Sequence, residues 1–143
     1  MQVRQDGKDV LMRLDPGEEM VGTLKNWALD NGVPSATITG LGAVADVSLG
    51  YFDLTNREYI EIPVPREVEI VSLDGSLASM DGEPHVHIHV VVSSSGGSCV
   101  AGHLFRATIS ITAELHLTIL QKPIKRLRCP KTGVLLWDLN EEE

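Results

Sequence analysis

The sequence predicts an α+β fold in a single domain spanning residues 1–143, with its core at residues 8–137. Two observations support this prediction. One segment repeats apolar residues at three- and four-residue spacing, as a helix does, whereas most of the remaining chain alternates with a period of two, as strands do. The apolar content is 43% but aromatic residues make up only 4%, which favours strands packed on a helix. We expect a mostly antiparallel, strongly bent sheet of about 7–8 strands against one main helix.

The main helix is expected over about residues 16–31. Asp15 can cap its amino terminus, Pro16 suits the first helical position and Glu18 completes a capping box. The Asn31-Gly32 pair supplies a left-handed stop. One apolar stripe runs along the helix and consists of Met20, Val21, Leu24, Trp27 and Ala28.

The strands are expected where the period is two, between Gly, Pro, Asn and Asp residues that are typical of turns. Residues 10–14 form an opening strand, and residues 134–137 form a final strand after a turn. The segment 39–43 contains two glycines, and we interpret it as a tight turn that lets the backbone pass close to another part of the chain. The other strands are expected at residues 35–40, 45–53, 57–63, 67–73, 85–93, 98–105 and 109–120.

The charge of the chain argues against autonomous binding to nucleic acid. The formal net charge is −8, and three of the negative charges form the tail at residues 141–143. An acidic protein repels a phosphate backbone on average. The single basic cluster contains no aromatic residue for base stacking, so we interpret it as a solvated surface stretch. It consists of Lys122, Lys125, Arg126, Arg128 and Lys131.

The cysteines and the hydropathy pattern bear on the compartment. Cys99 and Cys129 are isolated, and no amino-terminal basic-then-apolar signal is present. We therefore expect reduced thiols and a cytoplasmic protein. No apolar run approaches the roughly 20 residues that a membrane span needs, so we expect no contact with a membrane.

The histidines are the strongest candidates for chemistry. His85, His87 and His89 alternate along one predicted strand, and His103 follows after a Ser/Gly-rich turn, so four of five histidines lie within nineteen residues. Alternate side chains of a strand project from one face about 7 Å apart. Neutral imidazole is the commonest metal ligand in proteins. The pattern therefore predicts a metal site on this face.

The length of the turn decides whether His103 belongs to that face. With a three-residue turn His103 lies opposite His89, and with a five-residue turn it lies opposite His87. A four-residue turn would place it opposite Ile88 on the other face, and no joint site would form. The sequence alone leaves these alternatives open.

Distance limits which histidines can share one ion. His85 and His89 are about 13 Å apart along an extended strand, too far for comfortable partners of a single ion. The two plausible triads are His87, His89 and His103, which we favour, and His85, His87 and His103. His85 then remains a fourth or an intersubunit ligand. Three histidines leave a position open for water, as in catalytic or ligand-binding metal sites.

The identity of the ion and the supporting residues follow less directly. A divalent metal, zinc, is expected, although imidazole also suits nickel, iron and copper. Glu83, Glu114 and His116 are candidates to orient the ligands or act as a base, and the two glutamates are the candidate catalytic residues. The alternative interpretation of the alternating histidines is that they form a polar sheet face, or that their imidazoles hydrogen-bond across a subunit contact.

Seven stretches of the chain, in this order, resemble the plants-and-prokaryotes-conserved (PPC) domain family in its stand-alone prokaryotic form, over roughly residues 8–137. The stretches are Leu14-Asp15-Pro16-Gly17-Glu18-Glu19 with Gly22-Thr23-Leu24, Ala36-Thr37-Ile38-Thr39-Gly40-Leu41-Gly42-Ala43, Leu49-Gly50-Tyr51-Phe52-Asp53, Leu73-Asp74-Gly75-Ser76-Leu77, Pro84-His85-Val86-His87-Ile88-His89, Ala101-Gly102-His103-Leu104 and Thr112-Ala113-Glu114.

The resemblance implies a sheet-and-helix subunit that assembles into a homotrimer, with a proposed role in DNA binding. That role derives largely from plant relatives that add AT-hook segments, and this chain has no Gly-Arg-Pro hook. Family members with the histidine pattern resemble metal binders, and this property is carried onto His87, His89 and His103, and less directly onto His85.

The sequence therefore leaves three alternative functions open. The first is a non-enzymatic trimeric module that holds a divalent metal and is associated with regulation or DNA. The second is a small three-histidine metalloenzyme, a hydrolase or lyase. The third is direct binding to DNA, which the acidic charge makes doubtful.

Overall fold

The structure is a computed structural model that describes residues 1–140, and within these residues one sheet of nine strands accompanies one α-helix. The acidic tail at residues 141–143 lies outside the described residues. The elements in chain order are β1 (Gln2–Asp6), β2 (Asp9–Leu14), α1 (Met20–Asp30), β3 (Ala36–Asp53), β4 (Glu58–Ile62), β5 (Glu67–Met80), β6 (Glu83–Ser93), β7 (Cys99–Ile119), β8 (Lys125–Arg128) and β9 (Leu135–Asp138).

The sheet is mixed, with more strands than the expected seven to eight. Its order is β1-β2-β7-β3-β5-β8-β9, while β4 pairs with β3 and β6 pairs with both β5 and β7. Every pairing in the described residues is antiparallel except that of β5 with β8, at Ser79 and Lys125. Strands β3, β5, β6 and β7 each pair with two of the others, so their pairings close a circuit. A sheet that closes in this way must curl, as the predicted bend requires.

Two long strands replace four predicted shorter ones. Residues 36–53 run without a turn as β3, and residues 99–119 run as β7. The register between them shifts after Gly42, Ala45 and Ser48, so bulges bend the strands where the sequence suggested breaks. The tight turn predicted at residues 39–43 is therefore wrong. Its glycines do allow a close approach of backbone, to β7.

The helix begins later than predicted. Gly17 has a φ of 89° and its N–H donates to the carbonyl of Ile109 at 2.9 Å, which holds residues 15–18 in a turn against β7. The Glu18 carboxylate accepts from the Asp15 N–H at 2.6 Å, as a capping box would, but Glu19 is the actual cap. Its carboxylate accepts from the N–H groups of the helix's first turn.

The end and the buried face of the helix agree with the sequence prediction. Asn31 is the C-cap and Gly32 has a φ of 62°, the left-handed conformation expected of that stop. The helix packs on β6 and β7 and joins the apolar core of the curled sheet. The buried residues of its stripe are Met20, Leu24, Trp27 and Ala28.

Cys99 and Cys129 are both free. In the described part of the chain, no helix combines the length and the apolar character that crossing a membrane would take.

Candidate metal centre

The hairpin of β6 and β7 brings His103 to the alternating histidines of β6. Its turn has three residues, because the Ser94 N–H donates to the carbonyl of Ser98 at 2.9 Å. His103 therefore lies directly opposite His89. Of the three turn lengths considered, the three-residue one is found, and it places His103 on the imidazole face.

Three of the four neighbouring histidines form a compact cluster. His87, His89 and His103 each offer a ring nitrogen, and these three nitrogens lie within 4.8 Å of one another. The Nε2 atoms of His87 and His89 are 3.2 Å apart. A tetrahedral ion with bonds of about 2.0–2.1 Å sets its nitrogen ligands about 3.3 Å apart. The cluster can therefore hold such an ion with small adjustments, while His85 lies outside it.

Arg126, which β8 contributes, reaches the cluster from the neighbouring edge of the sheet. Its guanidinium donates to the Ser76 hydroxyl at 3.0 Å and to the Leu135 carbonyl at 3.1 Å, and its Nη2 atom lies 3.1 Å from Nδ1 of His87. It also lies 5.8 Å from the centre of the Trp137 ring. Arg126 is only 6% exposed, which makes it the most buried charged side chain near the histidines.

The contact with Arg126 fixes the tautomer of His87 in the metal-free protein. A guanidinium can only donate, so Nδ1 of His87 must accept and the ring proton lies on Nε2. That Nε2–H then donates to Nε2 of His89 across the 3.2 Å contact. Coordination through Nε2 of His87 would instead put the ring proton on Nδ1. The Arg126 contact and a metal bond at Nε2 therefore exclude each other.

Burial and positive charge keep two of the three rings neutral. Burial, and after it the positive charge of Arg126, lower the pKa of His87 to about 4. Burial also lowers the pKa of His103 to about 4, with His89 as the next contribution. Both rings are unprotonated at pH 7, which is the form that binds metals.

The metal-free protein should lose stability as the pH falls from 6.5 towards 4. Both histidine pKa values are lower in the folded chain than the 6.5 of the unfolded one, so their contribution is complete above pH 6.5 and declines below it. We expect the two lowered pKa values together to decrease the free energy of unfolding by about 3 kcal/mol. This is less than the full shifts would give, because both rings are partly exposed and water screens them. Urea denaturation with chelator at pH 7 and pH 5 measures most of this range.

Between pH 7 and pH 5 the change in stability reports on histidines rather than on the carboxyl groups whose pKa values are shifted. The pKa values of Asp9, Asp15 and Asp53 are lowered from 3.8, so these groups affect the stability only at lower pH. A variant with His87→Gln and His103→Gln is the control, and its stability should change much less between the two pH values. An equal change in the free energy of unfolding between pH 7 and pH 5 in the wild type and the variant would contradict the prediction.

A cavity of about 690 Å³ opens beside the cluster, a volume typical of small-molecule sites. His85, His87 and His103 line it. On one side, the ring centres of Tyr59 and Phe105 lie 5.1 Å and 4.7 Å from that of His103. The cluster therefore borders a partly open space with an aromatic wall, while His89 is exposed and does not line it.

The other sequence candidates lie away from this cavity. Glu83 begins β6 and lines a separate small cavity near the end of α1. Glu114 and His116 lie on β7 beside β1 and β2, where Nε2 of His116 is 3.0 Å from a carboxylate oxygen of Asp9. The structure does not bring any of these three residues to the histidine cluster.

Sequence reasoning missed Arg126, which was included in a solvated surface stretch. That interpretation is wrong for Arg126, although Arg128 is exposed. The four-residue strand β8 carries too little periodicity to reveal its inward residue. The position of Arg126 follows from the parallel pairing of β8 with β5, and no local sequence pattern predicts this pairing.

Fold and site together define a class of small α+β domain with a histidine cluster beside a cavity. The family model of the Plants and Prokaryotes Conserved (PCC) domain matches residues 1–121, and the chain belongs to this family. Strands β8 and β9, with Arg126, lie beyond the matched residues.

Solved structures with similar folds support the assignment. A plant- and prokaryote-conserved (PPC) protein of Pyrococcus horikoshii is 30% identical, with a TM-score of 0.85, over 99% of this chain and 96% of that chain. A metal-containing protein of Archaeoglobus fulgidus is 32% identical, with a TM-score of 0.83, over 93% and 94%. A "putative DNA-binding protein" of Bacteroides thetaiotaomicron is 26% identical, with a TM-score of 0.91, over 96% of both chains. No curated protein sequence matches the chain.

Proposed function

We propose that this protein binds a divalent metal ion, zinc, through His87, His89 and His103. The observation that carries the proposal is the 3.2 Å separation of the His87 and His89 Nε2 atoms, with a nitrogen of His103 within 4.8 Å of both. The relative from Archaeoglobus fulgidus, described as metal-containing, supports the same assignment. His85 lines the same cavity and is the candidate for a fourth ligand.

The open side of the proposed ion favours a second candidate function, that of a small metalloenzyme. Three imidazole ligands leave one coordination position for water or a ligand, and a cavity of about 690 Å³ borders the cluster. Zinc in such a site acts as a Lewis acid and lowers the pKa of bound water. A hydrolase or lyase would use this chemistry. We place it second because the bases predicted from the sequence, Glu83 and Glu114, lie away from the cavity, and its one carboxylate in the described part of the chain is that of Glu58.

We also propose that the protein is a homotrimer. Three adjacent strands carry exposed apolar side chains at their bulges, and exposed apolar surface of this kind often marks an interface. Leu41 on β3, Val71 on β5 and Ile111 on β7 are 54%, 59% and 68% exposed. The resemblance to the prokaryotic PPC domain supports the same assembly.

We propose that any association of this protein with DNA is indirect. The relative from Bacteroides thetaiotaomicron is described as a DNA-binding candidate, but the net charge of −8 in this chain opposes contact with phosphate backbones. A gel-shift titration with AT-rich duplex at low salt measures direct binding. A shift at micromolar protein that weakens as the salt concentration rises would contradict the indirect role.

Elemental analysis of untagged protein, combined with its mass in solution, tests the metal and the trimer together. We expect about one equivalent of zinc per chain and a mass close to three times the 15.6 kDa of one chain. Chelator should lower the unfolding temperature, because a ligand that binds only the folded state stabilises it. Less than about a tenth of an equivalent, with stability unchanged in chelator, would overturn the metal site. A monomeric mass would overturn the trimer.

A further inference from the structure

The cavity beside the histidines is cationic, although the chain as a whole is acidic. Four positive side chains line it, from α1, the β3–β4 loop and β8, against the single carboxylate of Glu58. The formal net charge of the chain is −8. Positive side chains are thus concentrated at one cavity of a chain whose net charge is negative. The four are Lys25, Arg57, Arg126 and Arg128.

Arg126 carries a buried charge that lacks a counterion. Its hydrogen-bond acceptors are a hydroxyl, a carbonyl and a neutral imidazole, none of which is an anion. Within residues 1–140, no carboxylate forms an ion pair with its guanidinium, and its Nε is buried without a hydrogen-bond partner. Buried charges in proteins are normally paired, because removing an ion from water is costly. The arrangement is therefore incomplete without an anion.

Among residues 1–140, the other three cations have no carboxylate partner either. Neither Lys25 nor Arg57 forms an ion pair in the described part of the chain, and Arg128 donates to the Gly133 carbonyl at 2.6 Å. A divalent ion on three neutral imidazoles would add two positive charges beside Arg126. It would also release the Nη2 donor of Arg126 from His87, because coordination of the ion through Nε2 of His87 leaves Nδ1 protonated.

We propose that this cavity binds a small oxoanion, a carboxylate or a phosphate, held by Arg126 and Lys25 beside the histidine cluster. A guanidinium presents parallel N–H groups that match both kinds of oxoanion. The volume of about 690 Å³ suits a small molecule, and Tyr59 and Phe105 offer apolar contact to its carbon skeleton. The anion site extends beyond the proposed metal function and stands on charges that are present without an ion.

Isothermal titration with two probes, inorganic phosphate and succinate, tests the proposal on metal-loaded and chelator-treated protein. We expect a Kd below about 1 mM for at least one probe and a loss of at least tenfold in Arg126→Gln. Lys25 is exposed on α1, so Lys25→Gln keeps the fold and should weaken binding severalfold. Lys8→Gln, at the exposed β1–β2 turn, removes the same charge elsewhere and should leave the Kd unchanged. Preference for phosphate or for succinate identifies the chemistry of the ligand.

Each outcome decides one proposal. No measurable binding of either probe, or equal weakening by Lys8→Gln and Lys25→Gln, would overturn the anion site. The metal content of the same samples separates this result from failure of the metal site. Bound metal without anion binding rejects only the present inference, whereas anion binding by protein that takes up no metal when zinc is supplied rejects only the metal proposal.

Discussion

Replacing His87 or His103 with alanine is expected to lower the zinc content of untagged protein from about one equivalent per chain to less than about a tenth. Only two imidazoles of the cluster remain in each variant, and a zinc site built from protein side chains normally needs three or four ligands. Elemental analysis after gel filtration measures the content. Circular dichroism checks that the variants are folded, because His87→Ala also removes an acceptor of Arg126.

The chain offers two matched controls for this experiment. His116 bonds to Asp9 on β2, away from the cluster, so His116→Ala should keep its metal. His85 lines the cavity but lies outside the cluster, so His85→Ala should keep most of it. Equal metal content in His87→Ala and His116→Ala would contradict the assigned ligands. Loss of metal in His85→Ala, with metal retained in His89→Ala, would favour the triad of His85, His87 and His103.

The same variants distinguish a metal-binding module from an enzyme. Metal-dependent turnover of esters, lactones, phosphates or oxo-acids in the wild type, and its loss in His87→Ala and His103→Ala, would establish the second candidate function. Bound zinc without turnover across these substrates would leave the module as the function. The decision rests on activity, because both functions require the same three ligands.

Local signals were enough to predict the parts of the site that lie on one hairpin. The alternation of His87 and His89 follows from the period of a strand, and the Ser/Gly turn limited His103 to three registers, one of which the structure adopts. The helix stop at Asn31 and Gly32 was equally local. In each case neighbouring residues determine the geometry, so the sequence pattern carries the information.

Contacts between distant segments account for what the sequence did not predict. The helix starts at Met20 because Gly17 bonds to Ile109, which is 92 residues further along the chain. Arg126 reaches the site only because β8 pairs with β5. Gly40 and Gly42 are equally good signals for a turn and for a close approach between strands. Only the position of β7 decides between these two structures.

Gly42→Ala is expected to reduce the free energy of unfolding by about 3 kcal/mol, a large part of the stability of a small domain. A Cβ at this position would lie 2.4 Å from the Thr112 carbonyl oxygen and 2.7 Å from the Cα of Ala113. Both are backbone atoms of β7 and cannot rotate away. Strands β3 and β7 would have to separate at the bulge between them, which weakens the pairings on both sides.

Gly96→Ala is the matched control, because a Cβ there meets no heavy atom within 4 Å and the backbone is not left-handed. It should change the stability by less than about 0.5 kcal/mol. Urea denaturation in chelator measures both variants without the contribution of bound metal. A loss below about 1 kcal/mol in Gly42→Ala would show that the two strands move apart easily. Because Gly42 pairs with Ala113, away from the histidine cavity, the folded fraction of the variant should still bind one equivalent of zinc.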